Sequence, residues 1–184
     1  MSEINPELSA PILLTDKSRL QEIYELRVLC WENSKHSNII NHQKYPNGFK
    51  DEFDEESIHL IITHADGQIV AACRVTIFDS LLKFPYVDIP QLETKLTKSF
   101  GLIGRGVHKK QSGGHGLQYI LVKRCLEICK ERGLLQATGH AYNGNNYMQK
   151  LMLDLGFKFS CDVGVNNYNH KNIAYPGKLF IADL

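Results

Sequence analysis

Residues 101–133 read GLIGRGVHKKQSGGHGLQYILVKRCLEICKERG, and this order narrows the possible folds more than any other stretch. GLIGRGVHK is too rich in glycine for a helix and predicts a strand that is bulged or closely approached. Leu117, Ile120, Leu121, Cys125, Ile128 and Cys129 then recur at helical spacing until Gly133 stops the run. Between strand and helix lie Gly113, Gly114, His115 and Gly116. A strand, a glycine turn and a helix N-terminus form a cup of backbone N–H groups reinforced by the helix dipole, which suits phosphates. Glycine lets the phosphate approach closely and takes positive φ at little cost. Lys109 and Lys110 stand just upstream. No Gly-Lys-Ser/Thr follows, so this is not a Walker loop, and it is not the G-x-G-x-x-G dinucleotide fingerprint. A plain turn before a helix is the other reading.

The flanking sequence extends the pattern. Asp16 predicts a cap for a helix through RLQEIYELRVLCW, with Leu20, Ile23, Tyr24, Val28 and Trp31 on one stripe. Residues 32–56 are polar, carry a Pro46-Asn47-Gly48 turn and read as a loop with at most one short helix. Residues 58–63 and 68–78 are β-rich and joined by Asp66-Gly67, a hairpin signal. Pro90 predicts the start of a helix through QLETKLTKSF. LLQATGHAY reads as a strand, NNYMQKLMLDL as a helix ended by Gly156, and FKFSCDVGV and KLFIADL as strands. The expectation is one α/β (α+β) domain over residues 1–184. Its mixed, mostly antiparallel sheet has about six or seven strands, with helices on both faces.

With a net charge of +1, there is no general argument for nucleic acid or an anionic membrane as partner. Apolar runs such as IVAAC fall far short of the roughly 20 residues that span a bilayer. MSEINPELSA lacks the basic-then-apolar pattern of a signal peptide, so the cytoplasm is the expected compartment. The five cysteines are odd in number and form no C-x-x-C pair. They read as buried thiols, and no metal is expected.

Gln111-Ser112-Gly113-Gly114-His115-Gly116 resembles the Q/R-x-x-G-x-G/A loop of the GNAT acyltransferase superfamily. Asn145, ahead of Leu155-Gly156-Phe157-Lys158, resembles that family's second signature. The resemblance covers most of the chain. It implies a GNAT-like fold in which the backbone from Gln111 to Gly116 binds the coenzyme A pyrophosphate. Val107, His108, Lys109 and Leu117 would lie beside the cofactor. The strand around Val107 would pair with the pantetheine arm, and Asn145 would touch it from the following helix. The spacer from Val107 to Gln111 is one residue shorter than the common form and lacks its proline.

What the resemblance implies is transfer of an acetyl group from acetyl-CoA to a primary amine on a small molecule or peptide. A lysine-like amine, with a pKa of about 10.4, must lose a proton before it attacks. His140 is the first candidate base, with His108 and His115 behind it. The tyrosine that commonly protonates the leaving thiolate in this family is replaced here by Met152, which donates nothing. Tyr147 and Tyr142 are the substitutes. Arg27, Trp31, Asp51-x-x-Asp54, Arg74 and Arg105 are similar in order to the charged residues of acyl-homoserine-lactone synthases. The glutamate expected three positions before Arg105 is Leu102. Asp51, Asp54, Arg74 and Arg105 either bind a cationic acceptor or form an ion-pair network that pins the loop to the sheet. The alternatives to N-acetyl transfer are autoinducer-synthase-like transfer from an acyl carrier protein or acyl-CoA, and a non-catalytic domain that binds coenzyme A. Monomer or homodimer is left open.

Overall fold

IVAACRVTIF is apolar or β-branched at nearly every position, which calls for cover on both faces of its strand. The computed structural model describes residues 7–32, 42–43, 45–86, 88–112, 116–165 and 175–184, and in it this run is a buried strand of a seven-stranded sheet. The strands are β1 (Ile12–Leu13), β2 (Ile58–Thr63), β3 (Ile69–Phe78), β4 (Phe100–His108), β5 (Gln136–Tyr142), β6 (Lys158–Val165) and β7 (Tyr175–Asp183). Their order is β1-β2-β3-β4-β5-β7-β6, antiparallel throughout except between β4 and β5. That parallel pair needs a long return connection, supplied by α2 (Gly116–Glu131). The other helices are α1 (Leu20–Glu32) and α3 (Asn146–Asp154).

Alternation along β3, interrupted by a bulge at Val70, separates the two faces. Val70, Cys73 and Val75 pack with Leu121 and Cys125 of α2 and Met152 of α3. Ile69 and Ala72 pack on the other face with Leu20, Ile23 and Tyr24 of α1. A third cluster, built on Phe78, Phe84, Phe100 and Leu179, closes one end of the sheet. Each large side chain so buried stabilises the fold by roughly 1.5–3 kcal/mol before chain entropy is counted.

Most predicted elements are present, with three differences. Asp16 does cap, but its side chain accepts from Ser18 N–H to start a 3-10 turn over Lys17–Arg19 that leads into α1. β1, only two residues long, had no periodicity to betray it. The helix expected from Pro90 stops after one 3-10 turn, Pro90–Leu92. Gln136 explains the stop: its Oε1 accepts from Thr97 N–H at 2.8 Å and its Nε2 donates to the Lys95 carbonyl at 3.1 Å. Two peptide groups that a helix would use are thereby tied to β5.

Candidate active site

β4 and β5 pair only where residues 101–103 lie beside residues 137–139. Beyond that point β4 stays with β3 as far as His108, and β5 stays with β7 as far as Tyr142. The sheet therefore opens between two strands that each keep a partner on the far side. A cavity of about 590 Å³ occupies the opening. Residues 102–110 of β4 and its exit line one wall, and His140, Ala141, Tyr142, Asn145 and Tyr147 line the other.

The β4 wall is irregular. Its register against β3 shifts between Ala72 and Arg74, and Arg105 takes φ 56°, the only non-glycine positive φ among the described residues. A left-handed arginine costs roughly 1–2 kcal/mol, so something must hold it. The Lys109 N–H donates to the Val70 carbonyl at 2.8 Å. Alternation then sets Val107 against Ala72 and turns the His108 peptide toward the opening. From the α1 side the Cys30 thiol donates to the His108 carbonyl at 3.2 Å. Lys109 leads through a 3-10 turn, Lys110–Ser112, toward the N-terminus of α2 at Gly116. Gly113, Gly114 and His115 lie outside the described residues.

His140 sits on β5, its ring 4.8 Å from that of Tyr142 and 5.9 Å from that of Tyr86. Its Nε2 is enclosed beside Gly177, where a Cβ would collide with it, and has no hydrogen-bond partner. Burial, aided by the charge of Arg105, lowers its pKa to about 4. The imidazole is thus unprotonated at neutral pH, as a base must be, but only weakly basic. Tyr142 also meets Trp31 edge-on, at 6.3 Å. Burial raises the Tyr147 pKa, which keeps that phenol protonated. Met152 is buried under Gly139, within the cavity wall. Asn145 caps α3 by accepting from Met148 N–H at 3.1 Å, so it is fixed by the helix it starts.

Among the wall residues not singled out from the sequence, Gln118 is the buried amide. Gln118 stands on the apolar stripe of α2, four residues before Val122, and is 3% exposed. Its Nε2 lies 3.3 Å from His108 Nδ1, while its Oε1 lies under Gly106 with no hydrogen-bond partner. A glutamine at a core position of an amphipathic helix was the available signal.

Asp51, Asp54, Arg74 and Arg105 come together, and Arg27 joins them. Arg27 donates to both oxygens of Asp54 at 2.8 Å, with both side chains 1% exposed. Arg74 Nη1 reaches Asp54 at 2.7 Å and Asp51 at 2.5 Å. Arg105 donates to Asp51 Oδ2 through Nε at 2.9 Å and Nη2 at 2.6 Å, and stacks on Phe49 at 4.9 Å. Burial works to raise the Asp54 pKa, but hydrogen bonds and charge from Arg27, with the charge of Arg74, hold it below the usual carboxylate range. Both carboxylates are thus covered by guanidinium groups. Arg74 and Arg105 line the cavity; the carboxylates lie behind them.

Among the described residues no group of three or more His, Cys, Asp or Glu is placed to hold a metal, and no helix is long and apolar enough to cross a membrane. No protein-family model and no curated protein matches the chain. Solved structures do. FeeM, an N-acyl amino acid synthase from uncultured soil microbes, superposes with a TM-score of 0.68 at 11% identity, over 97% of this chain and 92% of that one. An acetyltransferase of the GNAT family from Streptococcus pneumoniae gives 0.63 at 14% identity, over 97% and 100%. A Bacillus subtilis acetyltransferase in complex with CoA gives 0.59 at 13% identity, over 95% and 97%. The strand order, the parting of β4 from β5 and these likenesses give the chain the fold of the GNAT acyltransferases.

Proposed function

We propose that the protein transfers an acyl group, acetyl in the simplest case, from a coenzyme A thioester to a primary amine. The observation that carries this reading is the cavity between β4 and β5, which runs from the α2 end of β4 to the Arg105 bulge. The thioester arm would enter there as an added strand along β4, recognised by main chain near His108. Lys109, Lys110 and the α2 N-terminus would take the phosphates, with Gln111, Ser112 and residues 113–116 as the loop. The amine nitrogen attacks the thioester carbonyl carbon, and a β4 N–H steadies the oxyanion. The C–S bond then breaks, an amide forms, and the amine's proton leaves through water or His140. Tyr147 and Tyr142 are the donors available to the departing thiolate, which with a thiol pKa of about 8.5 leaves without much help.

Calorimetry with coenzyme A tests the binding half of this proposal, and thiol release from acetyl-CoA with a panel of amines tests the chemical half. A binding heat and amine-dependent thiol release are expected. Heat without release from acetyl-CoA, longer acyl-CoAs or acyl carrier protein donors would replace the enzyme with a coenzyme A-binding module, the reading Met152 favours.

A further inference from the structure

Building on that acyl transfer, we infer that the acceptor is a primary amine carrying its own carboxylate on an apolar body, an amino acid with a hydrophobic side chain, and not a polyamine. The cavity wall holds Arg74, Arg105, Lys109 and Lys110 and, among the described residues, no aspartate or glutamate. Lys109 and Lys110 stand at the α2 end, where the cofactor's phosphates have use for them. The two arginines stand at the bulge, where the reacting end of the thioester would lie.

The carboxylates behind the arginines do not cancel them. Arg27, Arg74 and Arg105 surround Asp51 and Asp54, so three positive charges meet two negative ones and a net positive charge faces the cavity. Outside the described residues the sequence contains no aspartate or glutamate except Glu3. A polycation would therefore meet a net positive charge, with no carboxylate among the described residues of the cavity wall to receive it. A carboxylate would meet guanidinium groups, whose planar forks match it. Two hydrogen bonds to one oxygen of Asp51, stacking on Phe49 and a fixed left-handed backbone hold Arg105 in place before any ligand arrives. Phe53, whose ring lies 5.9 Å from the Arg74 guanidinium, and Trp31, packed on the Phe49 ring that Arg105 covers, line the cavity with Leu29 and Tyr86 and suit an apolar body. The positive field also favours the neutral form of a bound amine, so a strong protein base is less needed.

Thiol release is measured for leucine and phenylalanine against leucinamide, phenylalaninamide and spermidine, using acetyl-CoA and longer acyl-CoA donors. We expect kcat/KM for the free acids to exceed that of the amides and of spermidine at least tenfold. This preference runs against intrinsic reactivity, since the amide's amine is less basic and more largely neutral. Arg105→Gln should shrink the acid-to-amide ratio at least fivefold, with its fold checked by the heat of coenzyme A binding. Should that variant not fold, Arg105→Lys and the acid–amide comparison on the unaltered protein decide. Amides or spermidine used as well as the acids would overturn the inference and leave the acyl transfer standing. No coenzyme A heat, or no thiol release with any amine, would overturn both.

Discussion

β4 lies between two interiors built on opposite rules. Toward α2 the filling is apolar except for Gln118: Leu121, Val122, Cys125 and Ile103 pack in one cluster. Toward α1 and residues 49–54 the filling beside β4 includes a charged knot, Arg27–Asp54–Arg74–Asp51–Arg105, with every member at least mostly buried. The apolar side tolerates exchange of one hydrocarbon for another if volume is kept. The charged side tolerates none, because removing one partner leaves a buried charge uncompensated. The strand between them thus has a forgiving face that supplies stability and an exacting face that fixes where Arg105 and the cavity wall stand.

The largest expected effect breaks the charged side. Asp54→Ala strands Arg27, leaves Arg74 only Asp51 to share with Arg105, and should cost about 3–5 kcal/mol, enough to unfold many domains, as read by urea denaturation. On the apolar side Leu121→Ala should cost about 2–5 kcal/mol and Leu121→Met below about 1.5. If Asp54→Ala proved as mild as Leu121→Met, the contrast between the faces would be gone.

The same contrast governs what could be read before the fold was known. The apolar side follows periodicity, so α2, α3 and the central strands were legible, as was the hairpin, whose Gly67 takes φ 85°. The charged side has no period. Asp51, Asp54, Arg74 and Arg105 could be grouped by order, but the bonds from the arginines to the aspartates depend on residues 20 or more apart in sequence meeting. The failed helix after Pro90 has the same cause, a long-range claim by Gln136 on local peptide groups. His140 was legible as a residue on β5 but not as a ring enclosed by Gly177.

Next in size is a pH effect with two limbs. His140 has a folded pKa of about 4, lowered chiefly by burial, and His59 is lowered for the same reason. The unfolded chain takes up these protons near pH 6.5, so stability is full above that value and falls as pH drops toward 4, by up to a few kcal/mol. Asp54 and Asp51, whose proton affinities are reduced in the fold, add a second fall below about pH 4. Thermal melts across pH should show both limbs, and His140→Gln should flatten the first. A melting temperature independent of pH from 7 to 5 would contradict the burial of the imidazoles. For the proposed reaction, kcat/KM should show no break near pH 6.5 and should follow the acceptor's amine alone.

Gly177→Ala comes below these, at about 1–3 kcal/mol, because the new methyl meets the His140 ring and lies 2.9 Å from the Ala141 carbonyl. The smallest stability change, and the sharpest contrast between holding the fold and holding a ligand, belongs to Gln118. Its Oε1 is buried without a partner, and its single polar contact is a 3.3 Å approach to His108 Nδ1. An unsatisfied buried oxygen costs about 1–3 kcal/mol, so Gln118→Leu should leave stability unchanged or raise it by about 1 kcal/mol. Since Gln118 alone among the buried residues of α2 puts an amide beneath β4 at the cavity, the same change should weaken coenzyme A binding several-fold. If Gln118→Leu instead lowered the melting temperature and left the calorimetric affinity untouched, the glutamine would belong to the forgiving face after all, and the main chain of β4 would carry cofactor recognition without it.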